Sequence, residues 1–189
     1  MINIVTESIK EHIQIVNKID EETILSIKNA ASICDLSLKK GNKIMFIGNG
    51  GSAGDAQHLA TELIVRYEKK RGPLRALALT TDTSLITACS NDFSFDKIFS
   101  RQIEGLGKKG DVLFAISTSG KSKNVIEGCK TANKMGIKVI SLTGKSKSTS
   151  INKYSDLVIR APSHKVSRIQ ECHIMFGQII CELLEKNIK

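Results

Sequence analysis

Two polar side chains four residues apart could carry acid–base chemistry or hold a metal ion. His58 and Glu62 fall at helical spacing, so both project from one face of a predicted helix. An imidazole and a carboxylate on one face can share a metal ion or transfer a proton. A solvent-exposed His–Glu pair explains the spacing equally well. The predicted helix follows a glycine-rich loop, however, which would place the pair at the edge of a ligand pocket.

Two loops contain groups that bind anions. The first, residues 48–54, combines glycines that permit close backbone approach with the polar Asn49 and Ser52. The second, Ser117–Ser122, contributes hydroxyls and backbone amides just before a helix, as a phosphate cradle does. A tight turn and a serine-rich helix cap are the simpler explanations of the two loops. A nucleotide-binding P-loop is not expected, because Ala115 stands where that motif requires glycine.

The last predicted helix carries three polar residues in an otherwise apolar sequence. Gln170, His173 and Gln178 could line a site or face solvent, and the residues alone leave both roles open. Cys172 precedes His173, but neighbours on a helix point to different faces, so a nucleophilic Cys–His pair is not indicated. The five cysteines include no C-x-x-C pair and are interpreted as small buried hydrophobic residues.

The hydrophobic pattern predicts a scaffold for these loops. Residues 1–40 follow a helical pattern, as two helices or one bent helix. Short apolar segments then alternate with helical ones, which is typical of a parallel sheet covered on both faces. Ligands of such sheets bind beyond the carboxyl ends of the strands. The predicted strands are 43–47, 74–79, 111–116, 137–142 and 157–159; the predicted helices are 55–70, 96–106, 124–135 and 166–185; residues 144–152 are predicted to be a mobile loop.

Length and composition limit the class of protein. The 189 residues, 41% hydrophobic and 25% charged, predict one folded domain, with or without a helical extension, and exclude extensive disorder. No stretch reaches 18 apolar residues and residues 1–19 lack a signal-peptide run, so a cytoplasmic protein without membrane contact is expected. The net charge of +9 suits an anionic small molecule or nucleic acid. Aromatic residues make up only 4%, so nucleic acid is not the expected partner.

Taken together, the motifs resemble those of the phosphoheptose isomerase family. They occur in the family's order and spacing over nearly the whole chain. The matching segments are Gly48–His58 with Glu62, Leu79–Ser84, Asn91–Asp92, Ile116–Ser122 and Arg168–Glu171. The resemblance implies an α/β fold of the sugar isomerase (SIS) type, a flavodoxin-like three-layer sandwich with a central parallel sheet. It further implies a helical extension over residues 1–40, a single SIS unit over 41–189, and a homotetramer with active sites between subunits.

The resemblance also implies a reaction. Family members convert sedoheptulose 7-phosphate to D-glycero-D-manno-heptose 7-phosphate, an aldose–ketose isomerisation through an enediol. This is the first step of bacterial heptose biosynthesis for lipopolysaccharide core, capsule or S-layer glycans. A base must carry a proton between C1 and C2. A carboxylate in a partly dry pocket can do so, because burial raises its pKa toward neutrality.

Site roles follow by matching positions to the family's motifs. Glu62 would be the base and a zinc ligand, and zinc would polarise the carbonyl. The implied zinc ligands are His58, Glu62, Gln170 and Gln178. The hydroxyls of Ser117, Thr118, Ser119 and Ser122 match phosphate-binding positions. Together with Ser52, the remaining substrate-binding residues are Asn49, Gly50, Gly51, Glu62, Asn91, Asp92 and Gln170.

One departure from the family concerns the last helix. Eight residues after the glutamine of Arg-Ile-Gln-Glu, the family has a histidine that binds zinc and acts as the partner acid or base; this chain has Gln178. An amide does not titrate, and it binds zinc more weakly than imidazole does. Losing one acid–base group typically lowers turnover ~10²- to 10⁴-fold. The chain is therefore expected to be an impaired isomerase at position 178.

Three explanations of the departure stay open at this point. The chain could be an engineered variant, a natural enzyme with weaker zinc use, or a paralogue without catalysis. The third has a precedent in the same fold, the tetrameric adaptor that binds the bacterial replication initiator. Retention of His58, Glu62 and Gln170 favours an isomerase, because an adaptor need not keep them.

Overall fold

Helices and strands alternate along most of the chain, as its hydrophobic pattern predicts. The computed structural model describes residues 2–187. The strands are β1 (Ile44–Gly48), β2 (Ala76–Ala78), β3 (Val112–Ile116), β4 (Lys138–Thr143) and β5 (Leu157–Arg160). The helices are α1 (Ile2–Val16), α2 (Glu21–Lys39), α3 (Gly51–Ile64), α4 (Thr83–Asp92), α5 (Ile98–Leu106), α6 (Lys123–Lys134) and α7 (Val166–Lys186), with 3₁₀ turns at Phe95–Lys97 and Ser150–Tyr154.

The five strands form one parallel sheet in the order β2-β1-β3-β4-β5. Every residue of β1 and β3 is buried, which explains their unbroken apolar sequences. Phe46 of β1 pairs with Phe114 of β3, and their rings stack with centroids 5.2 Å apart. The chain leaves β1 toward β2 on one side and later returns to β3 on the other. The crevice beyond the carboxyl ends of β1 and β3 is therefore the topological switch point, where ligands of such sheets bind.

Helices cover both faces of the sheet, so the predicted three-layer sandwich is confirmed. One core contains residues of α2, α3 and α7, and the other contains residues of α4, α5 and α6. All five cysteines are buried free thiols, as expected for small hydrophobic residues. Helix α1 buries none of its residues and is attached to α7 by polar contacts, among them His12 Nδ1 to Glu171 Oε2 at 2.6 Å. Within residues 2–187, no helix is long and apolar enough to cross a bilayer.

The N-terminal forty residues form two helices. Helix α1 ends at Val16, and Asp20 caps α2 by accepting a hydrogen bond from the Thr23 backbone N–H at 2.9 Å. A short polar connection separates the two helices, which decides between the two predicted arrangements. The division of the chain at residue 40 into an extension and a single SIS unit stays a prediction.

Helix α3 differs most from its predicted range of 55–70. It begins four residues earlier, because Gly50 takes a φ of +55° and Gly51 already lies in the first turn. It ends six residues earlier, at Ile64. There the Arg71 guanidinium donates to the carbonyls of Glu62 and Leu63, at 2.7 and 2.8 Å, and so satisfies the end of the helix.

Two further elements were not predicted. Helix α4 falls between the predicted strand 74–79 and the predicted helix 96–106, where no element is predicted. Asp82 caps it by accepting a hydrogen bond from the Leu85 backbone N–H at 2.9 Å. The predicted mobile loop of residues 144–152 is partly ordered, since Ile151 is fully buried in the 3₁₀ turn at Ser150–Tyr154. Its first residue, Gly144, donates to the Thr118 carbonyl at 3.0 Å and so rests against the second anion-binding loop.

A buried carboxylate near the end of α7 holds the segment that follows α3. Glu185 accepts hydrogen bonds from the backbone N–H groups of Tyr67, Glu68 and Lys69 and from Arg71 Nε, at 2.8–3.1 Å. Burial alone would raise its pKa, but these donors outweigh burial and lower the pKa of Glu185 to about 2. Arg71 and Glu185 both keep under a tenth of their side-chain surface exposed.

Replacing Glu185 by glutamine should therefore destabilise the protein in a pH-dependent way. Removing one partner of a buried ion pair costs about 3 kcal/mol, which lowers the Tm by roughly 6–12 °C at pH 7. The folded-state pKa lies below the unfolded value of 4.5. The contribution of Glu185 is therefore complete above that value and is lost as the pH falls toward 2.

Thermal unfolding followed by circular dichroism at pH 7 and pH 3 measures the effect. The difference in Tm between the native chain and Glu185→Gln should shrink at pH 3. Glu104→Gln is the matched control, because Glu104 makes only an exposed pair with Arg101 at 3.6 Å. An equal loss of Tm at both pH values would contradict the assignment.

Candidate active site

Three of the predicted metal-binding side chains meet where α3 packs against α7. The distance from His58 Nε2 to Glu62 Oε1 is 3.0 Å, and Gln178 Nε2 lies 3.0 Å from that His58 nitrogen and 3.3 Å from Glu62 Oε1. His58 is half-exposed, whereas Glu62 retains only 19% of its side-chain surface. The structure thus brings together residues 120 positions apart in the sequence, and the Glu62 carboxylate of this cluster is largely protected from solvent.

A close approach of the two helices makes this meeting possible. Gly177 of α7 lies against the fully buried Leu59 of α3, and a Cβ at position 177 would come within 2.6 Å of the Leu59 methyl carbons. Because position 177 is a glycine, α7 can pack close enough to α3 for Gln178 to contact Glu62. Residues Gln170 and Gly51 meet at the start of α3, so the two helices run in the same direction.

The hydrogen bonds of the cluster cannot all be satisfied at once. If His58 carries its proton on Nε2, that proton bonds to Glu62, but the Gln178 amide then faces another donor. If the proton is on Nδ1, the Gln178 amide is satisfied, but Nε2 faces the carboxylate without a proton between them. A cation at the centre, with the amide turned so that its oxygen points inward, would satisfy all three groups.

The spacing of the cluster fits a divalent ion, although the donors are mixed. Neighbouring ligands of a tetrahedral zinc ion lie about 3.3 Å apart when the metal–ligand distance is about 2.0 Å. The three distances in the cluster, 3.0–3.3 Å, are close to that spacing. Only His58 and Glu62 are strong zinc ligands. Across residues 2–187, no group of three or more His, Cys, Asp or Glu side chains is arranged to hold a metal.

The fourth predicted ligand, Gln170, lies apart from the cluster. Its amide packs against Gly51, where a Cβ would clash with it. Gly51 precedes His58 by about two helical turns. The structure therefore places Gln170 at the glycine loop, and Gln178 alone of the two amides contacts His58 and Glu62.

The Ser117–Ser122 loop lies at the carboxyl end of β3 and leads into α6, as predicted. Ser117 is buried, and its Oγ lies 3.1 Å from Ser122 Oγ. Ser119 Oγ accepts a hydrogen bond from the Lys121 backbone N–H at 3.2 Å, while Thr118 is partly buried. Hydroxyls and backbone amides before a helix N-terminus favour an anion such as a phosphate group.

The glycine loop lies beside it at the carboxyl end of β1. Gly50 and Gly51 begin α3, Ser52 is buried, and a Cβ at Gly48 would clash with the Ser52 backbone. Asn49 does not point freely into the crevice. Its side-chain amide exchanges two hydrogen bonds with Asn124, at 2.8 and 2.9 Å. Sequence reasoning missed Asn124, and its position two residues after Ser122 was the available signal.

Asn91 and Asp92 close helix α4 and are exposed. The Asn91 Nδ2 donates to Asp92 Oδ1 at 2.9 Å. In the part of the chain described, neither side chain forms a hydrogen bond to the two loops of the crevice. Their predicted contact with a sugar stays a prediction.

His173 does not take the place of an acid–base group at position 178. It is fully buried, and its Nε2 donates to the Thr143 carbonyl at 3.0 Å. Burial lowers the pKa of His173 to about 4, so the ring is neutral near pH 7. Its neighbour Cys172 is not a nucleophile either, since burial raises the pKa of that thiol to about 11.

Known proteins are similar to this chain in sequence. The family model described as "SIS domain" matches residues 8–144. A phosphoheptose isomerase of Nitratiruptor sp. is 46% identical over 187 residues, 99% of this chain and all of the relative. One of Akkermansia muciniphila is 47% identical over 162 residues, 86% of this chain and 85% of the relative.

Solved structures agree in fold over nearly the whole chain. The phosphoheptose isomerase of Neisseria gonorrhoeae superposes with a TM-score of 0.91 at 38% identity, covering 97% of this chain and 98% of the other. That of Francisella tularensis superposes with a TM-score of 0.88 at 34% identity, covering 98% and 97%.

The close approach of α7 to α3 can be tested by adding one methyl group. Gly177→Ala forces the new Cβ against Leu59, and overpacking of this kind costs about 1–3 kcal/mol, partly offset by the higher helix propensity of alanine. We expect the Tm to fall by roughly 2–6 °C. Gly105→Ala in α5 is the control, because nothing lies within 4 Å of its Cβ, and its Tm should stay level or rise. A Tm for Gly177→Ala at or above that of the control would contradict the packing.

Proposed function

The chain belongs to the phosphoheptose isomerase family of SIS-domain proteins, and on that premise we propose that it converts sedoheptulose 7-phosphate to D-glycero-D-manno-heptose 7-phosphate. The observation that carries the proposal is Glu62, a carboxylate that keeps only 19% of its side-chain surface exposed and lies on α3, the helix that begins at the glycine loop. The chain is an isomerase, and its substrate is a sugar phosphate of the heptose pathway. The proposed product would feed lipopolysaccharide, capsule or S-layer glycans.

The Ser117–Ser122 loop, Glu62 and Gln178 have distinct roles in the proposed reaction. The hydroxyls and amides of Ser117–Ser122 hold the phosphate, so the carbon chain extends across the crevice toward the glycine loop and α3. Glu62 takes a proton from one of the two reacting carbons and returns it to the other. The Gln178 amide, which donates to Glu62 Oε1 at 3.3 Å, orients the carboxylate but cannot itself carry the proton.

We extend the proposal to zinc on the geometry of the cluster. His58, Glu62 and Gln178 are spaced to hold a divalent ion. Gln170, the fourth candidate, lies about two turns earlier on α7, against Gly51. When bound, zinc supplies a Lewis acid for the substrate carbonyl. Two of the four ligands are amides, so the affinity should be lower than that of a site with two imidazoles.

The adaptor alternative is not favoured. A relative matched over its full length is a phosphoheptose isomerase, and the structure keeps His58 and Glu62 in contact on α3. Gln178 in place of the family's histidine therefore changes the active site of an isomerase, whereas the scaffold around that position is intact.

The substitution Gln178→His tests the proposed role of position 178. Gln178→His should raise kcat on sedoheptulose 7-phosphate, by as much as ~10²-fold, because an imidazole can exchange protons where an amide cannot. The same change should tighten zinc binding, measured by competition with a chromogenic chelator. Gln14→His on the exposed face of α1 is the control, since it adds a histidine far from the site. Equal kcat and equal zinc affinity in Gln178→His and the native chain would contradict the role of position 178.

We also propose that the chain forms a homotetramer, with its apolar α1 face buried against other copies. Ile2, Val5, Ile9 and Ile13 repeat at helical spacing, and each exposes more than half of its surface. A patch of this kind marks an interface, and a second copy presents the matching apolar face. Light scattering should give a mass four times the 20.7 kDa of one chain.

The substitution pair Ile9→Lys and Ile13→Lys should dissociate the tetramer, because it places charge in the apolar interface. Lys10→Glu, which changes charge on the same helix without altering those two residues, is the control and should leave the mass unchanged. A monomeric mass for the native chain would contradict the assembly.

A further inference from the structure

Two asparagine side chains join the glycine loop to the first turn of α6, the helix that follows the Ser117–Ser122 loop. Asn49 Nδ2 donates to Asn124 Oδ1 at 2.9 Å, and Asn124 Nδ2 donates to Asn49 Oδ1 at 2.8 Å. Asn124 is 2% exposed, and its Oδ1 also accepts from the Val125 backbone N–H at 2.9 Å. The two residues are 75 positions apart, one directly after β1 and the other in the first turn of α6.

The sheet itself does not fix the spacing of these loops. The pairing of β1 with β3 ends at Gly48 and Ile116, so the chain beyond it has no ladder to hold it. The reciprocal amide pair lies beyond that end. Two parallel hydrogen bonds between planar groups set both a distance and an orientation, and a buried amide left without its partner is costly.

We propose that Asn124 is a positioning residue, which acts through Asn49 to set the spacing between the glycine loop and the phosphate-binding loop. This inference rests on the proposed function, because it gives the two loops the sugar and the phosphate of one substrate. A substrate that spans the crevice depends on that spacing, whereas a free phosphate needs only the Ser117–Ser122 loop. The main role of Asn49 is then to pair with Asn124 and not to contact the substrate, since its Oδ1 and one of its N–H groups are used in the pair.

Variants of the pair separate positioning from direct substrate contact. Asn124→Ala and Asn49→Ala should each lower kcat on sedoheptulose 7-phosphate by ~10- to 10²-fold, since small misplacements of reacting atoms cost this much. The double variant should be no worse than either single variant, because both remove one interaction. If Asn49 instead contacts the substrate directly, Asn49→Ala alone loses activity and Asn124→Ala does not.

Binding measurements give a readout that loss of stability would not move. By calorimetry at a temperature well below the Tm, the variants should bind sedoheptulose 7-phosphate about 10-fold more weakly and inorganic phosphate within about 3-fold of the native chain. Asn133→Ala is the matched control on α6, where the amide donates to the Tyr154 carbonyl at 3.1 Å away from the crevice. It should leave both affinities unchanged.

The outcomes distinguish this inference from the proposed function. A native chain that binds sedoheptulose 7-phosphate without converting it overturns the proposed function. The positioning role is then tested by the affinities for sedoheptulose 7-phosphate and for inorganic phosphate alone. Losses that multiply in the double variant overturn the positioning role. So does an Asn124→Ala chain with native kcat and native affinity, or a parallel loss of both affinities. Absence of binding to the sugar phosphate by the native chain overturns both.

Discussion

The candidate active site depends above all on the buried pairing of β1 with β3. These two strands are neighbours in the sheet but are separated in the sequence by β2 and three α-helices, α3, α4 and α5. Their side chains are fully buried, and the stacked rings of Phe46 and Phe114 lie within the first of the two cores. Because both strands end at the same edge, the glycine loop and the Ser117–Ser122 loop face each other across one crevice. Neither loop alone could hold both ends of a sugar phosphate.

The proposed chemistry depends on a second constraint, the contact of α3 with α7. Gly177 allows the helices to approach, and the approach places Gln178 beside His58 and Glu62. The segment after α3 is held in turn by Glu185 and Arg71, and Arg71 also bonds the Glu62 carbonyl. The position of Glu62 is therefore linked to the far end of α7 by a chain of buried polar contacts.

Much of this arrangement could be predicted from the sequence. The apolar runs of β1 and β3 indicated buried strands, and the His58–Glu62 spacing indicated a shared helix face. The sequence predicts a loop at Gly50 and Gly51, because glycine has a low helix propensity; in the structure these two residues form the start of α3. No local pattern indicated the partners of Glu185 and Asn124, since these lie 75 or more residues away. Pairings of this kind are decided by tertiary packing, which a pattern along the chain does not contain.

Position 178 makes this member of the family informative about what the acid–base group contributes. The scaffold, the loops and the Glu62 carboxylate are in place, while the side chain beside them cannot titrate. The central claim is that Glu62 moves the proton. It is tested most directly by measuring turnover of sedoheptulose 7-phosphate by the native chain and by Glu62→Gln, which keeps the shape of the side chain and removes its charge. The account predicts slow but measurable turnover by the native chain and a further fall of ~10²-fold or more in the variant. Equal turnover by the two proteins, or none by the native chain, would contradict it.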